Sequence, residues 1–195
     1  MKLYSSPATP FGRKAAIVAK EHGIALDTVN VNPFESEELE RLNPARLIPV
    51  LVMDDGTVLY DSHAICAYFD EIGAGPSLYP EDDRWGWHRR TTLGTALTET
   101  SVAWIFQKRQ PADQQSVNLK THFEKRVRRI AGALDGEVET FAAAPFRIDH
   151  IAIICGLGHL EFRHDDSWRA DCPALAAWYE GIQSRPSVAA TQPSD

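Results

Sequence analysis

The sequence predicts a mixed α/β domain over residues 1–78, followed by an all-helical domain over residues 84–195. Three observations lead there. Up to about residue 80, short β-like runs interleave with helical ones. From Glu81 onward no run alternates at all. Asp54-Asp55-Gly56 joins two short apolar runs, as a hairpin turn does.

Lys2–Ser5 reads as a strand, and a helix from about Phe11 to His22 is stopped by Gly23. Leu26–Val31 alternates as a second strand. Ser36 suits the N-cap of a short helix, Glu37–Leu42, which Asn43-Pro44 ends because a residue before proline avoids the helical region. Val50–Met53 and Thr57–Tyr60 form the hairpin strands, with Asp-Gly supplying positive φ angles. Asp61 and Ser62 then cap a helix running to about Ile72. The order β-α-β-α-β-β-α predicts a mixed sheet with helices against it.

Gly73-Ala74-Gly75-Pro76 and Tyr79-Pro80 read as a hinge. Beyond it, helical segments are expected near 83–109, 112–141, 148–163 and 173–184. The third, with Ile148, Ile151, Ala152, Ile153, Ile154, Cys155 and Leu157, has almost no polar face, which places it at the centre of a bundle. Gly156 and Gly158 suit close approach of its neighbours.

With 44% hydrophobic and 24% charged residues, the 195-residue chain is globular in composition and long enough to bury a core without covalent or metal staples. Its 20 basic residues against 27 acidic ones leave a net charge of -7, which disfavours nucleic acid and anionic lipid unless the cations cluster. The densest run, Lys125-Arg126-Val127-Arg128-Arg129, reads as a solvated helix face. Cys66, Cys155 and Cys172 are odd in number, far apart and without a CxxC, so neither a disulfide framework nor a zinc site is expected, and a reducing cytoplasmic compartment is. No histidine pair has metal-ligand spacing with a supporting carboxylate, so no metal is expected. The N-terminus turns polar too early for a signal peptide, and the longest apolar stretch, Ile151–Gly158, is too short to cross a bilayer.

Three segments of the first domain carry candidate chemistry. Ser6-Pro7-Ala8-Thr9-Pro10-Phe11 is a hydroxyl-rich loop opening the first helix, where free N–H groups and the positive dipole end favour an anion; Thr9 equally suits an N-cap with Pro10 behind it. Arg46-Leu47-Ile48-Pro49-Val50 sets a proline before a strand. Such a bond is far more often trans, and if cis it leaves the Ile48 backbone free to pair with an extended peptide. Asp61-Ser62-His63 suits either plain capping or a zwitterion site, in which Ser62 and helix N–H groups hold a carboxylate while Asp61 holds an ammonium.

Together, in this order and spacing, the three segments resemble the thioredoxin-like domain of the glutathione transferase superfamily. The resemblance continues through Tyr79-Pro80-Glu81-Asp82, Asp149 of the apolar helix, Leu157–Arg163 and Pro173–Ser187, covering nearly the whole chain. It implies a thioredoxin-like N-terminal domain plus an all-α C-terminal helical bundle. It further implies glutathione as co-substrate, with Thr9 contacting the thiol, Ile48 before a cis Pro49 pairing with the cysteinyl backbone, and Asp61-Ser62 holding the γ-glutamyl end.

The expected activity is conjugation of the glutathione thiolate to a small hydrophobic electrophile by a cytoplasmic homodimer. The alternatives are a non-catalytic binding protein of the same fold or a glutathione-dependent isomerase or reductase. A threonine at position 9 forms no mixed disulfide, which argues against the cysteine-type branches, and Ser5 and Ser6 are rival hydroxyls. Leu47 stands where relatives often carry the cation or amide that meets the glycyl carboxylate, leaving Arg46 to replace it if its side chain turns into the groove. Phe146 stands where a Ser or Thr commonly caps the central helix, so Asp149 needs another partner. Phe11, Trp104 and Phe106 are the expected electrophile-pocket residues, with core packing an equal account of Trp104 and Phe106.

Overall fold

The computed structural model describes residues Met1–Asp195, which divide by their contacts into an α/β unit, Met1–Tyr79 with Pro186–Asp195, and a helical unit, Pro80–Arg185. The α/β unit is a four-stranded sheet of β1 (Lys2–Ser5), β2 (Asp27–Asn30), β3 (Val50–Val52) and β4 (Val58–Leu59), in the order β2-β1-β3-β4. β1 pairs parallel with β2, Ser5 opposite Asn30, and antiparallel with β3, Tyr4 opposite Val50. The parallel pair needs a crossover, which α1 (Pro10–Glu21) supplies. In the β3–β4 hairpin only Gly56 takes a positive φ (86°), and Asp55 instead accepts from the Thr57 N–H.

Helix α2 (Glu37–Leu42) is capped by the Ser36 side chain and buries Leu39 against Tyr4 and Val50. The Tyr4 hydroxyl donates to Glu38, which, with burial, raises its pKa. Helix α3 (Ser62–Ile72) packs on α1, burying Ile65, Cys66 and Phe69. Beyond it, Asp70 fixes the following turn, accepting from Ser77 Oγ and the Leu78 N–H and lying 3.0 Å from His22 Nε2.

The helical unit holds α4 (Arg84–Lys108), α5 (Val117–Asp135), α6 (Val138–Ala142), α7 (Ile148–Arg163), α8 (Trp168–Asp171) and α9 (Pro173–Ile182). Every residue of α7 from Ile148 to Leu160 is buried, as its all-round apolar surface requires. It lies closest to α4 at Gly94 and Gly156: a Cβ on Gly94 would fall 2.6 Å from the Ala152 carbonyl carbon, and one on Gly156 2.9 Å from the Gly94 oxygen.

The single helix expected over 112–141 is instead a 3₁₀ turn at Ala112–Gln114, then α5 capped by Ser116, then α6. Gly136 weakens the helix at the break, and there Glu137 meets Arg89 at 2.5 Å. Helix α8 and the final α10 (Pro186–Ala189) are four residues each, too short to leave a periodic signal. The last ten residues pack with the α/β unit, where Ser187 Oγ donates to Glu21 and Arg13 Nη2 lies 3.4 Å from the Val188 carbonyl oxygen. All three cysteines are buried and none is in a disulfide, and no helix is long and apolar enough to cross a membrane.

Candidate functional site

The three sequence segments meet at one end of the sheet. Since Tyr4 pairs with Val50, the residues after β1 run beside those before β3, so Ser5 and Ser6 come alongside Pro49 and Ile48. The packing of α1 on α3 brings their N-terminal ends together, with Lys14 Nζ 3.3 Å from His63 Nδ1.

Thr9 is the N-cap residue of α1, with extended backbone and Pro10 behind it, yet its side chain makes no capping hydrogen bond. The simple capping account of this threonine therefore fails. The side chain is half-buried at a helix start whose first N–H groups lack helical partners. Of the rival hydroxyls, Ser5 is buried with its Oγ against Gly12, and Ser6 is half-buried, its carbonyl accepting from the Thr9 N–H. Phe11 follows on the first turn of α1, half-buried.

The Ile48–Pro49 bond is cis, against the general preference for trans, and Tyr60–Asp61 is the second cis bond. Register pairing of β3 with β1 begins at Val50, and no backbone hydrogen bond engages Ile48. Its N–H and C=O are open to an extended ligand lying along this end of the sheet.

Helix α3 is capped by Asp61 alone, whose carboxylate accepts from the His63 N–H at 2.9 Å. Ser62 is the first helical residue, buried, and its hydroxyl is not the cap. Desolvation and the Lys14 ammonium hold the His63 imidazole below its ordinary pKa, against the pull of Asp61. The neutral ring can then accept from Lys14, which is itself buried. Both helix starts thus offer unpaired N–H groups beside a hydroxyl, a geometry suited to an anionic group at each.

Arg46 does not turn toward this groove. It adopts a left-handed backbone (φ 52°) and directs its guanidinium to the Phe34 carbonyl at 3.0 Å and to Glu40 at 3.5 Å, bracing its own loop. Leu47 beside it is 66% exposed. In the helical unit, Trp104 is buried and stacked on His164 at 4.2 Å between centroids, a packing role for this ring, whereas Phe106 is 42% exposed.

Asp149 finds its partners in Arg90 Nε at 2.8 Å and Arg147 Nε at 2.9 Å, both guanidinium groups buried with it. Sequence reasoning missed these arginines, and also Arg13 and Lys14, two buried cations near the positive end of α1. Their misfit with the helix dipole was the only signal available.

A family description, the N-terminal domain of glutathione S-transferase, matches residues 3–77. The chain is 29% identical over 199 residues to the uncharacterized GST-like protein YibF of Escherichia coli strain K12, covering 99% of this chain and 98% of that one. It superposes with a TM-score of 0.91 and 33% identity on a glutathione transferase family member from Pseudomonas fluorescens Pf-5 with bound glutathione, covering 100% of this chain and 99% of the other. The same bacterial protein with bound S-(propanoic acid)-glutathione gives a TM-score of 0.87 at 33% identity over the whole of both chains.

Proposed function

Because this chain belongs to the glutathione S-transferase superfamily, we propose that it binds glutathione across the open end of its sheet and adds the tripeptide's thiolate to a small hydrophobic electrophile. The observation that carries the reading is the Thr9 hydroxyl, set at the start of α1 and left free of the capping bond its position invites.

In this reading the γ-glutamyl carboxylate lies on Ser62 and the first N–H groups of α3, its ammonium on Asp61, and the cysteinyl backbone on Ile48. The thiol then reaches Thr9. A free thiol titrates near 8.5, so lowering it by about 2 units takes roughly 2.7 kcal/mol of preferential stabilisation of the anion. One hydrogen bond to a charged acceptor supplies about 1.5–3 kcal/mol, and a helix N-terminus about 0.3–1. Thr9 with α1 suffices by that arithmetic, without a general base in the protein.

The thiol proton passes to solvent, a sulfur electron pair forms the new C–S bond, and the leaving group departs from the electrophilic carbon with its own pair. Binding of a thioether conjugate by the Pseudomonas relative supports a product of this kind. Phe11, at the start of α1, is the residue of this unit assigned to the apolar part of the electrophile. The reading includes a homodimer by family analogy, and light scattering that returned the 21.7 kDa monomer at micromolar concentration would count against it.

The test is the ultraviolet absorbance of bound thiolate against pH. Thr9→Val keeps the shape and removes the donor, so the bound thiol pKa rises by about 1–2 units while affinity below that pKa holds. A shift in Ser5→Ala or Ser6→Ala, with none in Thr9→Val, moves the role to that serine. No shift in any of the three leaves the thiolate to backbone N–H groups and removes the hydroxyl mechanism.

A further inference from the structure

We propose that Gly12 is a positioning residue for Thr9: the space of its missing side chain seats the Thr9 methyl group and so fixes where the hydroxyl points. The inference deepens the reading above and rests on Thr9 as the thiol contact. Gly12 is a buried residue of the first turn of α1, and its φ is not positive, so no backbone conformation calls for glycine there. Helices disfavour the residue.

What calls for it is crowding. A Cβ at this position would fall 1.9 Å from Ser5 Oγ, 2.7 Å from Thr9 Cγ2 and 3.2 Å from Ser5 Cβ.

The identity of the Thr9 atom is the informative part. An N-cap hydroxyl ordinarily turns onto the amides of the second and third helical residues, here Phe11 and Gly12. In Thr9 no such bond forms, and the methyl lies over Gly12 instead. The two substituents on a branched Cβ have a fixed angular relation, so a methyl held in one staggered position holds the hydroxyl in another. Seating the methyl therefore turns the hydroxyl off the helix amides and keeps it available as a donor. Ser5, at the end of β1, fills the same gap from the strand side. Ser5 and Gly12 are in this sense a matched pair of small residues, and Thr9 is held between them and the loop.

The test uses the full chain and the absorbance titration of bound thiolate. Ser5→Gly removes both collisions with residue 5, so the comparison of Ser5→Gly with Ser5→Gly/Gly12→Ala isolates the contact to the Thr9 methyl without overpacking the strand. We expect Gly12→Ala in that background to raise the bound thiol pKa by about one unit. Adding Thr9→Ser, which deletes the methyl and keeps the hydroxyl, returns the titration to the Ser5→Gly value.

A Gly12 that matters only for packing changes the melting temperature and leaves the thiol titration alone, and that outcome overturns the proposal. A raised pKa that Thr9→Ser fails to restore overturns it as well. Thr9→Val separates the two levels. If it leaves the titration unmoved, the thiol assignment falls and this proposal with it. If it shifts the titration and Ser5→Gly/Gly12→Ala does not, only the positioning role falls.

Discussion

Acidification should weaken the helical unit through one residue, His159. Its ring is buried, with Nδ1 2.8 Å from Ser101 Oγ, and desolvation, with Arg163, His164 and Arg109 adding to it, lowers its pKa from 6.5 to about 4. In the folded protein the ring stays neutral, whereas the unfolded chain takes up a proton below its ordinary pKa. The stability from this site is therefore complete above pH 6.5 and is lost as pH falls toward the folded value of about 4. At 1.36 kcal/mol per unit, a shift of this size corresponds to about 3 kcal/mol.

His159→Asn keeps a polar partner for Ser101 and removes the titration. His150 and His164, also held below their ordinary values chiefly by desolvation, titrate in both proteins and cancel from the difference. The assay is urea unfolding followed by tryptophan fluorescence between about pH 7.5 and about pH 4.5. All five tryptophans lie in Pro80–Arg185, so the signal reports this unit alone. The parent should lose stability relative to the variant with a limiting slope of about 1.4 kcal/mol per pH unit. Parallel curves would show that burial of His159 does not depress its protonation.

Two further outcomes follow from the ion pairs and helix starts. Asp149→Asn leaves the Arg90 and Arg147 guanidinium groups facing a neutral amide, with Asp83 as their shared remaining acidic partner and Glu137 as a further one for Arg90. It should cost about 3 kcal/mol and lower the melting temperature by about 10 °C, and a melt within a few degrees of the parent refutes the buried triad as a stabilising unit. Asp61→Ala and Ser62→Ala should each weaken glutathione binding by about 1–3 kcal/mol in calorimetry while leaving the fold intact, and unchanged binding in both means that the γ-glutamyl site lies elsewhere.

The elements written in local pattern were legible from the sequence. The alternation of Leu26–Val31, the Ser36 cap, and the apolar girth of α7 each depend on neighbours a few residues away. The three segments of the candidate site lie on equally local features, because helix starts and a proline before a strand announce themselves locally. What escaped was settled by distant partners. Whether Thr9 caps its helix depends on what Ser5 and Gly12 leave room for. Arg46 turns to Phe34 and Glu40, which no spacing rule encodes. Asp149 draws on Arg90, from another helix, and on Arg147, two residues before it.

The docking of Pro186–Ala189 on α1 makes the helical unit a loop closed at both ends by folded structure. If that unit unfolds while the α/β unit holds, it becomes a tethered ring rather than a free coil, and the ring has fewer conformations to gain. Closure of this kind shifts stability on the order of a few kcal/mol, limited by how firmly Glu21 and Arg13 grip the returning segment. The last ten residues therefore stabilise a part of the protein to which they do not belong. Deleting Pro186–Asp195 should lower the urea midpoint read by tryptophan fluorescence, although no tryptophan and no residue of that unit is removed.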